Sequence, residues 1–263
     1  MADPARLFDY DASSPLHLAI LAREERDGVE IAEVRYDNGT GGAASAFVVR
    51  PAGAGDEALP GVVIAHGGTT PKKHKPKFVD EAVELSRRGT TVLLADTSMP
   101  PLGDAAADER ATVAAVLVQR RGLDVLASAH GATRLGFYGH SFGGHQGAIL
   151  AAVEPRLDAI VIAAMGSGIV DRARGEGFSD EAYLQALDRF DPVHWVRVPG
   201  RRRLLFQHGR RDEVISLAAG RELYEAAAGP KRWAEYDWGH DLPTDPAARR
   251  DRLAFFAEAL GPR

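Results

Sequence analysis

The sequence predicts an α/β protein built on a mostly parallel sheet of eight strands with helices on both faces. Two observations carry this. The runs 62–65, 91–95, 135–138, 159–165 and 204–207 are continuously apolar, as strands buried on both faces are, where half-exposed strands would alternate. Between them lie stretches with apolar residues at helical spacing, long enough to be crossover helices. The 263-residue chain is 45% hydrophobic and 26% charged, the balance of an ordinary globular protein.

Along the chain, 29–36 and 45–50 alternate apolar and polar residues around Asp37-Asn38-Gly39-Thr40-Gly41-Gly42, which predicts an opening hairpin. The stretch 77–88 sets Phe78, Val79, Ala82 and Leu85 at helical spacing, and 108–129 does the same with Val113, Val116, Leu117, Leu123 and Leu126. A small, apolar helix is expected over 144–153, suited to close packing on a sheet. Ser216 reads as the N-cap of a helix over 216–229, Thr244-Asp245-Pro246 opens the last helix to about 260, and 232–236 is the last strand. No repeat or composition break divides the chain, so residues 1–263 read as one domain. The stretch 166–202 interrupts the rhythm as a small cap-like insertion with a helix over 179–189. It is too short for a full cap domain, so an accessible site is expected.

Composition narrows the function. Lys and Arg number 32 against 37 Asp and Glu, a net charge of −5, so no basic field exists to hold a nucleic acid. The absence of cysteine removes disulfides, thiolate metal sites and a Cys nucleophile together. Asp3, Asp9 and Asp11 stand where a signal peptide would carry basic residues. The longest apolar run, 159–165, is far short of the roughly 20 residues that span a bilayer. A cytoplasmic protein without a membrane partner is expected.

The strongest chemical signal is Gly139-His140-Ser141-Phe142-Gly143, set between a strand and a helix. In that context G-x-S-x-G is a nucleophile elbow, a sharp turn that lifts the serine hydroxyl above the sheet. The following helix N-terminus adds partial positive charge where an oxyanion develops. A serine hydroxyl needs a general base. Of nine histidines, His240 in Trp238-Gly239-His240-Asp241 follows the last strand, where catalytic groups of open α/β sheets collect. His130 precedes the elbow strand at the wrong end of the sheet, and His17 and His194 have no motif around them. The base needs a carboxylate to fix its tautomer. Asp212, in His208-Gly209-Arg210-Arg211-Asp212-Glu213, follows the strand 204–207; Glu213 is its nearest rival, and a turn cap or a pair with Arg210 or Arg211 is the non-catalytic reading. His66-Gly67-Gly68-Thr69 reads as a short oxyanion loop, with donors from the amide of Gly68 (or Thr69) and of Phe142. His66 is expected to order this loop by hydrogen bonding.

Together these residues resemble the α/β-hydrolase superfamily from about Val29 onward. Within it, Pro60-Gly61-Val62-Val63-Ile64-Ala65-His66-Gly67-Gly68 and Asp191-Pro192 resemble the dienelactone-hydrolase and acyl-peptidase-like branches. True dienelactone hydrolases use a Cys nucleophile, which this chain lacks. The resemblance implies an α/β-hydrolase fold and a cofactor-free, metal-free serine hydrolase acting on a small-molecule acyl substrate. Ser141 is then the nucleophile, His240 the base, Asp212 the acid, and Gly68 and Phe142 the oxyanion donors. A carboxylic ester is the first substrate expectation. Thioester and amide or peptide bonds are alternatives, as is a non-catalytic binding protein of the same fold. Two weaker signals remain. Lys72-Lys73-His74-Lys75-Pro76-Lys77 either favours anionic substrates or is a solvated loop or the cationic start of the next segment. Phe178, Tyr183, Phe190 and Trp195 either line an acyl pocket or pack the insertion onto the sheet.

Overall fold

The continuous apolar runs become the inner strands of a sheet sealed on both sides. The computed structural model describes residues 3–68 and 71–261, those of 71–77 by backbone alone. Its strands are β1 (Ala19–Arg26), β2 (Val29–Asp37), β3 (Ala43–Pro51), β4 (Gly61–Ala65), β5 (Thr91–Ala95), β6 (Leu135–His140), β7 (Leu157–Ala163), β8 (Arg203–Gly209) and β9 (Lys231–Tyr236). They lie in the order β1-β2-β3-β5-β4-β6-β7-β8-β9. The pairs up to β3–β5 are antiparallel and all later pairs parallel.

Alternate residues of each inner strand feed two separate cores. Val63, Leu93, Phe137, Ile160 and Phe206 point to one side, where helices α2 (Ala105–Asp124), α3 (Phe142–Val153) and α7 (Leu217–Ala226) cover them. Val62, Ile64, Val92, Tyr138 and Val161 point to the other, under α1 (Pro71–Arg87) and α8 (Pro246–Leu260). Ser216 caps α7 by accepting from the Ala219 amide, and Asp245 caps α8 ahead of Pro246, as their sequence signatures require.

The expected count of eight strands is corrected to nine among the described residues. The added strand, β1, is exposed at every position and is held by its ladder to β2, with one ion pair from Arg26 to Asp80 of α1. A strand that buries neither face leaves no hydrophobic period to read. Helix starts also move: α1 begins at Pro71, so the Lys72–Lys77 run is helix rather than loop, and its side chains lie outside the described residues. Between β7 and β8 the chain forms α4 (Ile169–Gly175), α5 (Glu181–Asp188) and α6 (Pro192–Trp195), where one helix was expected. No helix of the described residues is long and apolar enough to cross a membrane.

Candidate active site

Ser141 sits at the turn from β6 into α3 with φ 55° and ψ −117°, a conformation costly for any residue with a Cβ. Its amide bonds to the Ala163 carbonyl of the neighbouring strand at 2.9 Å, and its carbonyl accepts from the His145 amide at 3.0 Å. The motif's glycines have a steric reason. A Cβ on Gly139 would strike the Gly143 backbone, and one on Gly143 the Ala65 carbonyl. Only glycine lets β6, β4 and α3 meet this closely.

The three residues expected to act together do meet. His240 Nε2 lies 3.0 Å from Ser141 Oγ, and its Nδ1 lies 2.9 Å and 3.0 Å from the Asp212 carboxylate oxygens. The carboxylate fixes the tautomer: Nδ1 donates to it, so Nε2 presents a lone pair to the serine hydroxyl. The Asp212 side chain is fully buried and that of His240 is 23% exposed. Burial alone would raise the Asp212 pKa, but hydrogen bonds from His240 and from the Ile215 and Val214 amides hold it below the usual value. Asp212 is therefore a carboxylate at neutral pH. The alternative partners are engaged elsewhere, Arg210 with Glu235 and Arg211 with Asp237, and the rival Glu213 is exposed.

Buried histidines hold the site's loops. His140 Nε2 lies 2.8 Å from the carbonyl of His240; a carbonyl only accepts, so this nitrogen carries the proton. Burial pushes the His140 pKa down to about 3, against which its bond to the His240 carbonyl acts. His208 Nε2 donates in the same way to the Ile215 carbonyl at 2.9 Å and stands 3.7 Å from Asp212. His66 lies between two loops, with Nδ1 3.1 Å from the Gly67 carbonyl of its own loop and Nε2 accepting from the Thr97 amide, after β5, at 3.3 Å. Sequence reasoning passed over the positioning roles of His140 and His208. Both stand inside the motifs it used, but their carbonyl partners are set by the fold.

The Gly67–Gly68 loop lies against Ser141. A Cβ on Gly67 would come 2.6 Å from Ser141 Cβ, and Gly68 has φ 85°, which glycine alone adopts without strain. Phe142 is the first residue of α3, where helical amides have no partner within the helix. Thr69, the alternative donor, lies outside the described residues. A cleft of about 200 Å³ opens at Ser141, walled by Met99, Leu102, Met165, Ile169 and Tyr183, with Arg172 and Glu176 also at its margin. Phe178 lines it too, whereas Trp195 packs edge-on against Phe8. Among the described residues no three His, Asp or Glu side chains converge to hold a metal ion.

This architecture recurs in solved structures. An acetyl xylan esterase from Paenibacillus sp. R4 superposes with a TM-score of 0.81 at 19% identity, over 99% of this chain and 95% of that one. The chain has the α/β-hydrolase fold. Acetyl xylan esterase 1 from Thermoanaerobacterium sp. JW/SL YS485 shares it with a TM-score of 0.76 at 16% identity, over 97% and 92% of the two chains. A cold-adapted esterase from an Arctic intertidal metagenomic library gives 0.69 at 20% identity, over 92% and 99%. No protein-family model matches the chain, and neither does any curated protein. Within the α/β-hydrolase fold, Ser141 occupies the strand-to-helix turn, Asp212 follows β8 and His240 follows β9, all at the C-terminal edge of the parallel strands.

Proposed function

We propose that this protein is a serine hydrolase that cleaves carboxylic esters through an acyl-enzyme, as one α/β-hydrolase domain with residues 166–202 as a cap-like insertion. The observation that carries this reading is the continuous chain from the Asp212 carboxylate through His240 to Ser141 Oγ. Ser141 attacks the ester carbonyl as His240 Nε2 takes its proton, and Asp212 stabilises the imidazolium that results. The amides of Gly68 and Phe142 hold the tetrahedral oxyanion. Collapse expels the alcohol, which takes the proton from His240. Water, deprotonated by His240, then attacks the acyl-serine; collapse breaks the bond to Ser141 Oγ, which takes that proton back from His240, and the carboxylic acid leaves. That the superposed structures are esterases by name supports an ester ahead of a thioester or amide.

The test is covalent. A fluorophosphonate probe should phosphonylate Ser141, located by mass spectrometry of the digested protein, and Ser141→Ala should abolish both the adduct and ester turnover. An unlabelled protein defeats the proposal and leaves the non-catalytic binding reading in its place; a label on another residue defeats the role of Ser141.

A further inference from the structure

The cleft at Ser141 does not end at Phe142. A second cavity of about 80 Å³ shares Met99, Leu102, Phe142, Ile169, Tyr183 and Leu187 with it and runs on beneath α5 to Ala186 and Phe190. The two form one slot that starts at the nucleophile and passes between α3 and the helices inserted after β7.

Three polar side chains in its wall, Tyr183, Asp108 and His145, are held by hydrogen bonds of their own. Tyr183 Oη donates to Asp108 Oδ2 at 2.8 Å and accepts from the Gly103 amide at 3.0 Å. Asp108 Oδ1 accepts from the Leu102 amide at 2.9 Å, and His145 Nε2 donates to the Phe190 carbonyl at 2.6 Å. Behind the wall, Asp191 Oδ2 accepts from the Gly168 and Ile169 amides, both at 2.8 Å. These bonds fasten α4 and α5 to the body of the protein. They leave a slot lined mainly by apolar side chains, with Arg172, Glu176, Glu109 and Thr112 as its other polar members besides Ser141, and formed before any ligand enters, as small-molecule sites usually are.

The direction of the reaction says which half of an ester belongs there. His240 must return its proton to the leaving oxygen, so the alcohol side stands at His240 Nε2. The slot has Ser141 in its wall and not His240, so it extends from the acyl side of the carbonyl. We propose that it binds the hydrocarbon chain of an acyl group longer than acetyl, making this an esterase of short- to medium-chain acyl esters. This rests on the serine-hydrolase reading above.

The experiment is a panel of p-nitrophenyl esters from acetate to octanoate, run on the wild type, Ser141→Ala and Ala186→Phe. In the wild type, kcat/KM should climb about fourfold per added methylene, equivalent to about 0.8 kcal/mol each, until the slot is full. Ala186 is half-buried and lines only the far cavity, so a phenyl ring there should block the end. The hexanoate-to-acetate ratio should fall by about tenfold or more. Ala105→Leu, also in the far cavity, repeats the test from another part of the wall should the first variant fold poorly. Ser141-dependent turnover that is greatest on acetate, or flat with chain length, overturns the slot and leaves the hydrolase standing. Turnover that survives Ser141→Ala, or no turnover on any ester, overturns both.

Discussion

The strand-end loops and the inserted helices α4 and α5 share one cleft but build it by opposite means. In the loops nearly every residue is dictated atom by atom. Ser141 occupies a strained turn, the elbow glycines leave no room for a Cβ, and His240 and Asp212 are held by bonds of 2.8–3.0 Å. In the insertion the slot is made by Ile169 and Leu187, whose contribution is volume. Chemistry demands an identity at each place, whereas an apolar wall demands only shape, and similar-sized apolar residues exchange there at modest cost. A lesion in the loops should therefore silence the protein, and a lesion in the insertion should retune it.

The sharpest attack on that contrast is Asp212→Asn. Asp212 Oδ1 accepts from the Val214 and Ile215 amides, both at 2.9 Å, and an asparagine oxygen would keep those bonds. Its NH2 group would then face His240 Nδ1. Two donors cannot pair, so His240 would place its proton on Nε2 and lose the lone pair that accepts from Ser141. The expected loss in kcat is about 10⁴-fold with the fold intact, measured on an ester that the wild type hydrolyses. A drop of less than tenfold would mean that the loops are no more exacting than the insertion.

The same contrast explains what could be read from the chain. Parallel strands and the elbow were legible because both impose residue types locally: apolar on both faces for the strands, Gly139, Ser141 and Gly143 for the turn. Asp212 and His240 were legible because each directly follows a strand at the end where the elbow stands. β1 was not, since a strand exposed at every position is specified by its pairing alone. Nor was the slot. Tyr183 and Asp108, bonded at 2.8 Å across 75 residues, carry no motif that announces the contact, and α4 has too few buried residues to show a period. His140 and His208 stood in plain view, but what they do depends on carbonyls brought to them by other strands.

A second way to sharpen the comparison is acid. His140, His145 and His208 are all buried with lowered pKa values, burial being the largest cause in each. For His140 the folded value is about 3, against about 6.5 for an unperturbed imidazole. Between these values the unfolded chain holds a proton that the native protein does not. Stability is therefore complete above about pH 6.5 and falls as pH drops toward 3. Asp212, lowered from 3.8, adds a loss in the same direction at the acid end. Each imidazole contributes a slope of up to about 1.4 kcal/mol per pH unit. His140→Gln keeps a side-chain N–H near the His240 carbonyl but cannot titrate. Urea unfolding from pH 7 to 4 should show a shallower decline in this variant, and identical slopes would mean that His140 takes no part in acid sensitivity.

The smallest effect belongs to the insertion. Tyr183→Phe keeps the ring in the slot wall and removes one hydroxyl, leaving the Gly103 amide without its acceptor and Asp108 Oδ2 without its donor. Asp108 is buried, so water reaches it poorly, and the cost should be about 1–3 kcal/mol in unfolding free energy. Where that cost is felt separates the two regions. The hydroxyl ties α5 to the segment before α2 and touches neither Ser141 nor the loops of Asp212 and His240. Loosening it should blur the far end of the slot, lowering the preference for hexanoate over acetate by more than it lowers the rate at which a fluorophosphonate labels Ser141. If labelling collapses along with chain-length preference, the elbow and the insertion form one mechanical unit, and the division of labour between exacting loops and a permissive wall fails.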